Sequence, residues 1–230
     1  MHSKVCAFTQ FREVLAIAGF RSFEAPIPLR AADQQPAYAV ALADSDPATG
    51  YHRGAMISEQ SIFLVGPMGA GKSAVGKRLA RRLQREFRDA DAEIEARTGV
   101  DISFIFEKEG EEGFRRREGR AIDELTALPA IVLATGGGAV MDERNRRLLA
   151  ARGIVVYLHA SVAEQLERTR HSRHRPLLET PDPEARLRSL MAVREPLYRE
   201  LADLVIDTDG RKVGAVAEEI RRRLDGMAAP

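Results

Sequence analysis

The amino-acid sequence predicts an α/β fold in which helices cover both faces of a parallel sheet. From Ser61 onward, apolar runs of strand length alternate with amphipathic helical stretches. These runs are rich in Val, Ile and Leu, as strands buried on both faces are. The first run leads directly into a glycine-rich segment and then a helical pattern, a succession typical of phosphate-binding folds.

In chain order, the predicted strands are short and separated by helical stretches. They cover residues 61–65, a short segment near Phe87, and residues 131–134, 154–158 and 204–206. The predicted helices cover residues 72–86, 92–98, 102–109, 111–128, 143–151, 162–169, 184–200 and 213–224.

Residues 1–55 differ from the rest of the chain. They hold four of the eleven prolines and show no sustained helical or strand period, so we predict a disordered extension. A transit peptide is the alternative, but the five acidic residues of this stretch argue against it. Residues 56–230 form the predicted folded domain. We advance the hypothesis that Met56 is the biological start, which N-terminal sequencing would test.

Composition narrows the classes of function. The chain has 230 residues and a formal net charge of +1, so no strong field of one sign points to nucleic acid or a membrane. Cys6 is the only cysteine, which excludes an internal disulfide and argues against a cysteine-based metal site. No apolar run approaches the roughly 20 residues of a membrane span. We expect a cytoplasmic protein.

Residues 66–73 read GPMGAGKS and follow the apolar run at 62–65. They fit G-x-x-x-x-G-K-[ST], the pattern of a phosphate-binding loop. Its glycines let backbone N–H groups approach phosphate oxygens without a Cβ in the way, and the following helix points its positive end at the same place. We expect Lys72 to reach the β- and γ-phosphates and Ser73 to offer its hydroxyl to Mg²⁺.

This loop alone does not separate a kinase from a GTPase, an ATPase motor or a binding switch. The N-K-x-D signature with which GTPases read their base is absent from the sequence. One small domain also leaves little room for motor modules.

Two carboxylates, Asp89 and Asp91, follow the second predicted strand. One of them can face a metal while the other faces an acceptor hydroxyl. The alternative is that Asp91, which precedes Ala-Glu-Ile-Glu, simply caps a helix.

Three consecutive glycines, Gly136, Gly137 and Gly138, follow the predicted strand at 131–134. They place bare backbone at the carboxyl end of the sheet, where ligands bind in open α/β folds. A tight turn into the next helix is an equally good explanation when this stretch is taken alone.

Arginines are the third candidate feature. The stretch FRRRE at 114–118 lies on a predicted helix, so its three arginines fan over about 200° and at most one or two can point into a cleft. Arg194 lies in VREPLY, and Arg175 lies in HRPLL within a segment, 169–183, that is crowded with Arg, His and Pro. We predict that this segment is a mobile loop over the site, with a plain surface linker as the alternative.

The ordered series GPMGAGKS, DAD, FRRRE, GGG, RPLL and REPLY resembles shikimate kinase. No later motif is strong alone, but their order and separations are specific, and the resemblance covers about residues 57–224. It implies a P-loop kinase fold of the nucleoside monophosphate kinase type. In that fold a five-stranded parallel sheet in the order 2-3-1-4-5 is flanked by helices and carries a mobile lid.

The resemblance implies that ATP and Mg²⁺ are used to phosphorylate the 3-hydroxyl of shikimate, in the chorismate pathway of aromatic amino acid biosynthesis. Asp91 would hold that hydroxyl and act as base, Arg115 and Arg194 would grip the carboxylate, and Gly136, Gly137 and Gly138 would shape the acceptor pocket. Lys72 and the lid residue Arg175 would act on the transferring phosphoryl group, and Asp89 would hold Mg²⁺ through water beside Ser73. The implied ATP-binding residues are Gly69, Ala70, Gly71, Lys72, Ser73, Ala74, Arg168 and Arg175.

One residue departs from the usual pattern of the family. Ala90 stands where the D-T-D motif has threonine, so a hydroxyl that could help position the metal's water is missing. We expect a monomer that binds ATP and shikimate but neither nucleic acid nor a membrane. Two alternatives remain: another small-molecule kinase of this fold, such as gluconate kinase, and a nucleotide-binding regulator without transfer activity.

Overall fold

Five parallel strands form one sheet in the computed structural model, which describes residues 60–170 and 181–228. The strands are β1 (Ser61–Val65), β2 (Glu86–Asp89), β3 (Ile131–Ala134), β4 (Gly153–His159) and β5 (Leu204–Asp207). Their order across the sheet is β2-β3-β1-β4-β5. The predicted parallel α/β sheet and its strand order are therefore confirmed.

The register of the sheet places β1 between β3 and β4. Ile62 of β1 pairs with Val132 of β3 on one side and with Ile154 of β4 on the other. The chain leaves β1 toward the β2 edge and later crosses to the β5 edge. The carboxyl end of β1 is therefore the point where the connections diverge, and open α/β sheets bind ligands at such a point.

Helices flank the sheet on both faces, as the alternating pattern predicted. Within the described residues they are α1 (Lys72–Leu83), α2 (Ala90–Thr98), α3 (Ile102–Thr126), α4 (Glu143–Arg152), α5 (Val162–Thr169), α6 (Pro183–Leu201) and α7 (Val213–Ala228), with a short 3₁₀-helix at Ala139–Met141. No helix in this part of the chain is long and apolar enough to cross a membrane.

Two apolar clusters, one on each face, hold the layers together. Phe63 and Val65 of β1 belong to the cluster that includes α3 and α6, whereas Ile62 and Leu64 belong to the cluster that includes α1 and α7. Side chains alternate between the faces of a strand, so a strand buried on both faces must be apolar throughout. This explains why the strand predictions from apolar runs are correct for β1 and β3 to the residue.

Differences from the predicted elements are small and have local causes. The predicted helices 102–109 and 111–128 form one element, α3, whose interior is broken at Gly110 with φ 69° and ψ −177°. Helix α1 ends three residues earlier than predicted because Gln84 adopts a left-handed conformation, φ 55°, at its C-cap. The 3₁₀-helix was not predicted, since three residues carry no readable period.

Candidate active site

The phosphate-binding loop lies where β1 ends and α1 begins. Gly66 has φ 141°, and a Cβ there would lie 2.4 Å from the carbonyl oxygen of Leu158, so the loop lies close against β4. Gly71 caps α1 with φ 84° and offers no side-chain hydrogen bond to the first turn. By contrast, Asp or Ser side chains cap helices α2 to α6. The first backbone amides of α1 thus have no side-chain acceptor of their own. A bound anion could accept their hydrogen bonds instead.

Lys72 lies over this loop. Its Nζ donates to the carbonyl oxygens of Gly66 and Pro67, both at 2.8 Å. Its positive charge also favours the ionised form of Asp91 and so acts to lower the pKa of that carboxyl. The lysine is therefore within electrostatic reach of both the loop and the carboxylate on the acceptor side.

Ser73 and Asp89 lie side by side at the start of α1 and the end of β2. The Ser73 hydroxyl donates to Asp89 Oδ2 at 2.5 Å, while Asp89 Oδ1 accepts from the backbone of Asp91 and Ala92 at 3.1 and 3.4 Å. Asp89, and not Asp91, is therefore the cap of α2, and the suggested capping role of Asp91 is wrong.

Asp91 lies in the first turn of α2 and its carboxyl faces the interior. Burial, followed by the nearby negative charges of Glu118 and Asp89, raises its pKa from 3.8 to about 7. Its Oδ1 has no hydrogen-bond partner among the residues that the structure describes. A buried acceptor of this kind is suited to receive a proton from a ligand hydroxyl.

Ala90, the departure from the family pattern, is fully buried and packs in the apolar cluster on the α3 side.

The glycine turn after β3 separates the phosphate loop from the acidic and basic groups on α2 and α3. A Cβ on Gly136 would lie 2.3 Å from Glu118 Oε1 and 3.0 Å from Asp91 Oδ1. A Cβ on Gly138 would lie 2.2 Å from Arg115 Nη2, and one on Gly137 would lie 3.4 Å from the backbone nitrogen of Met68. A side chain at Gly136 or Gly138 would therefore displace the carboxylate of Glu118 or the guanidinium of Arg115 from its present place.

Among the three consecutive arginines of α3, Arg115 points toward the glycine turn. Its Nη1 pairs with Glu118 Oε2 at 2.6 Å and its Nη2 with Glu111 Oε1 at 3.0 Å. Arg116 and Arg117 pair with Glu112 and Glu109 on the outside of the helix. The helical geometry predicted this separation.

Arg194 of α6 comes from the opposite side of the cleft and is 6% exposed. Burial lowers the pKa of its guanidinium, and the positive charge of Arg115 lowers it further. The negative charges of Glu111 and Glu118 act to raise the pKa of the same guanidinium. Two guanidinium groups therefore lie close enough to interact, as the acceptor-site prediction requires.

Two residues of this cleft were not predicted. Glu118 is fully buried, its Oε1 has no partner among the described residues, and burial raises its pKa despite the ion pair with Arg115. The signal was available, because an acid three residues after Arg115 on a helix shares its face. Tyr198 is the other, and its hydroxyl donates to the carbonyl oxygen of Gly137.

Arg168 lies at the far end of the phosphate loop. Its guanidinium donates to the Gly69 carbonyl at 3.0 Å, to the Thr208 carbonyl at 2.6 Å, and pairs with Glu164 at 2.7 Å. It thus joins the loop to the turn after β5. Arg175 and the predicted lid residues 171–180 lie outside the described residues, as does the extension 1–55.

Comparisons with known proteins identify the family of this chain. The family profile described as "SKI: Shikimate kinase" matches residues 68–225. A shikimate kinase from Halorhodospira halophila is 61% identical over 166 residues, which are 72% of this chain and 94% of that protein.

Solved structures are also similar. A shikimate kinase from Acinetobacter baumannii in complex with shikimate is 49% identical with a TM-score of 0.73, over 76% of this chain and 98% of that one. The shikimate kinase from Aquifex aeolicus is 35% identical with a TM-score of 0.65, over 74% and 98% of the two chains. The chain belongs to the shikimate kinase family.

Proposed function

We propose that this enzyme transfers the γ-phosphoryl group of ATP to the 3-hydroxyl of shikimate, a step in chorismate biosynthesis. The observation that carries this proposal is the pair of largely buried arginines, Arg115 and Arg194, whose cleft also holds Asp91 and borders the phosphate-binding loop. Arg115 already pairs with Glu111 and Glu118, so the positive charge that remains for an anionic ligand is mainly that of the buried Arg194, and the carboxylate of shikimate is such an anion.

On the acceptor side, Arg115 and Arg194 bind the carboxylate, and Gly137 donates its backbone N–H to the ring hydroxyls. Asp91 accepts the hydrogen bond of the reacting hydroxyl. Because burial and two neighbouring carboxylates raise its pKa to about 7, it can take a proton at neutral pH and release it again. Gly136 and Gly138 leave the room that Asp91, Glu118 and Arg115 occupy.

On the nucleotide side, the amides of Gly69, Ala70, Gly71 and the first turn of α1, including Ala74, surround the phosphates. Lys72 exchanges its two carbonyl contacts for phosphate oxygens. Arg168, between the loop and Thr208, lines the adenine end. Arg175 approaches the phosphates from the lid.

A hydroxyl and a carboxylate oxygen 2.5 Å apart, on Ser73 and Asp89, suit Mg²⁺, which binds through one or two protein oxygens together with waters and substrate phosphates. No group of three or more His, Cys, Asp or Glu residues within 60–170 and 181–228 forms an all-protein metal cage. Ser73 would bind the ion directly and Asp89 through water. When bound, Mg²⁺ neutralises charge on the phosphates.

The protein's part in the reaction is alignment and charge stabilisation, since phosphoryl transfer needs little covalent work from side chains. The arginines and Gly137 hold the acceptor ring, Asp91 orients its hydroxyl, and Lys72 stabilises the transferring group. The cytoplasmic location and the monomeric state stay predictions.

The test measures ADP release with a panel of acceptors. We expect release that depends on shikimate and is absent with gluconate or without an acceptor. Gluconate-dependent release would favour a gluconate kinase, and nucleotide binding without release under any condition would favour a regulator.

Lys72→Ala should lower kcat at least about a hundredfold, because a group aimed at the transferring charge is lost. The matched control is Lys77→Ala, in the exposed part of the same helix over the ring of Phe87. Circular dichroism should show both variants folded. Retained turnover in Lys72→Ala would contradict the assignment of the loop.

A further inference from the structure

Tyr198 is a completely buried phenol on the inner face of α6. Its ring stacks on that of Tyr157 in β4, with centroids 4.9 Å apart and an interplanar angle of 21°. The two rings are equally buried, so their packing contributions are comparable. They differ in what their hydroxyl groups contact.

The Tyr198 hydroxyl joins two parts of the acceptor site. It donates to the carbonyl oxygen of Gly137. Arg194 lies four residues before Tyr198 on the same buried face of α6, and the charge of its guanidinium acts on the phenol. A phenol has one donor and two acceptor lone pairs, so while its proton goes to the carbonyl its oxygen still offers negative charge to the Arg194 guanidinium. Burial raises the pKa of this phenol, so the donor is present throughout the neutral range.

The Gly137 carbonyl belongs to a peptide plane that also carries the N–H of Gly138. Gly138 lies directly against the guanidinium of Arg115, and Gly137 lies against the backbone of Met68 and Gly66 in the phosphate loop. A hydrogen bond that holds the Gly137 carbonyl therefore sets the position of the glycine turn relative to both Arg115 and the phosphate loop.

We infer that Tyr198 is a positioning residue that couples the carboxylate-binding Arg194 to the glycine turn, and so sets where the acceptor lies relative to the phosphate loop. This inference rests on the proposed function. Tyr198 does not touch the substrate. It acts by fixing the two groups that do.

Tyr157 provides the matched control. Its hydroxyl is buried and has no hydrogen-bond partner among the residues described. Removing an unpartnered hydroxyl costs nothing in hydrogen bonding, whereas removing the Tyr198 hydroxyl leaves a buried carbonyl without its donor and takes a polar oxygen away from the buried guanidinium of Arg194.

The experiment compares Tyr198→Phe and Tyr157→Phe in the full chain. We expect Tyr198→Phe to raise the KM for shikimate about tenfold or more, because the buried Gly137 carbonyl loses its donor and the phenol oxygen no longer faces the charge of Arg194. The KM for ATP should stay within about twofold in both variants, as should the KM for shikimate in Tyr157→Phe. A shikimate KM that is unchanged in folded Tyr198→Phe overturns the inference.

A second readout separates positioning from general loosening of the site. Wild type should prefer shikimate strongly over its neutral carboxamide, and Tyr198→Phe should lose much of that preference because Arg194 is no longer held. An equal loss for both acceptors would mean that Tyr198 has only a structural role.

Thermal unfolding of each variant reports whether it folds. Should Tyr198→Phe not fold, the comparison passes to 4-aminophenylalanine at position 198, which keeps a donor to Gly137 but is a poor acceptor for Arg194. A raised shikimate KM with an unchanged ATP KM then supports the inference, and an unchanged shikimate KM overturns it. If wild type itself releases no ADP in response to shikimate, the proposed function fails instead.

Discussion

At the scale of the residue, the acceptor cleft depends on charges that are buried together. Asp91 and Glu118 each have a carboxylate oxygen without a partner among the described residues, and both oxygens face Gly136. Two buried carboxylates cost free energy unless positive charge compensates them. Arg115 supplies that charge to Glu118 directly, and Lys72 supplies some to Asp91.

Asp91→Asn should change how stability depends on pH. The pKa of Asp91 is raised to about 7 in the folded state from 3.8, so the folded state binds more protons over that range. The free energy of unfolding therefore falls as pH rises from about 4 to about 7. The free energy of unfolding of Asp91→Asn minus that of wild type should therefore be larger at pH 8 than at pH 5, by on the order of 2 kcal/mol.

Urea unfolding at the two pH values measures this difference. Glu112→Gln, at an exposed position of α3, is the control and should follow wild type at both. Equal effects of Asp91→Asn at pH 5 and pH 8 would show that the buried carboxyl is not neutral in the folded protein.

Arg194→Ala should weaken acceptor binding by roughly 2–5 kcal/mol, since the carboxylate would lose a desolvated partner. This corresponds to at least about a thirtyfold rise in the Kd for shikimate, measured by calorimetry. Arg188→Ala removes an exposed arginine of the same helix that pairs with Glu184 and should leave the Kd unchanged. Shikimate binding that survives Arg194→Ala would remove the main support for the acceptor assignment.

At the scale of the element, the site is assembled from strand ends and helix beginnings. Helix α1 begins after Gly71 and has no side-chain cap. Helices α2 to α6 are each capped by the side chain of an aspartate or a serine. Arg115 and Glu118 lie on the same face of α3, in the segment that follows the break at Gly110. The direction of the helical segment after Gly110 therefore decides whether these side chains reach the cleft.

Gly110→Ala should destabilise the protein by about 1–3 kcal/mol. Its φ of 69° with ψ −177° lies in a region open essentially to glycine alone, while a Cβ there would meet nothing within 4 Å. The cost is therefore purely one of backbone conformation.

The control for that variant is Gly226→Ala in α7. A Cβ there also meets nothing within 4 Å, but the glycine lies within a helix, so alanine should stabilise by about 0.5–1 kcal/mol. Thermal unfolding of both variants measures the difference. A neutral Gly110→Ala would mean that the break in α3 relaxes at no cost.

At the scale of the whole molecule, the strand order brings distant segments together. β1 lies between β3 and β4, so the phosphate loop after β1 and the glycine turn after β3 emerge side by side. Arg194 then reaches the same cleft from α6, more than fifty residues further along the chain. The mixed order is what places nucleotide and acceptor groups in one crevice.

Removal of residues 1–55 should leave kcat and both KM values within about twofold of the full chain. Every described residue of the proposed site lies between Gly66 and Thr208, and the family match covers residues 68–225. A domain with its own core is expected to keep its activity when a segment outside it is removed. The ADP-release assay on residues 56–230 measures this, and a large loss of activity would assign the extension a role in catalysis.

The sequence by itself determined the fold class and most of the elements, and it predicted the site residues. Strands buried on both faces must be apolar, and the phosphate loop, the glycine turn and the arginine motifs occur in a specific order. These are local patterns, which neighbouring residues can carry. Among the predicted residues, Lys72 and Arg168 contact the phosphate loop, and Asp91 and Arg115 lie against the glycine turn.

The tertiary structure alone decided which charges are buried and what they meet. Only packing shows that Asp89 rather than Asp91 caps α2, that Glu118 faces Asp91 across Gly136, and that the Tyr198 hydroxyl donates to Gly137. The physical reason is that burial, pKa and hydrogen bonding depend on residues far apart in the chain, and no local pattern records those contacts.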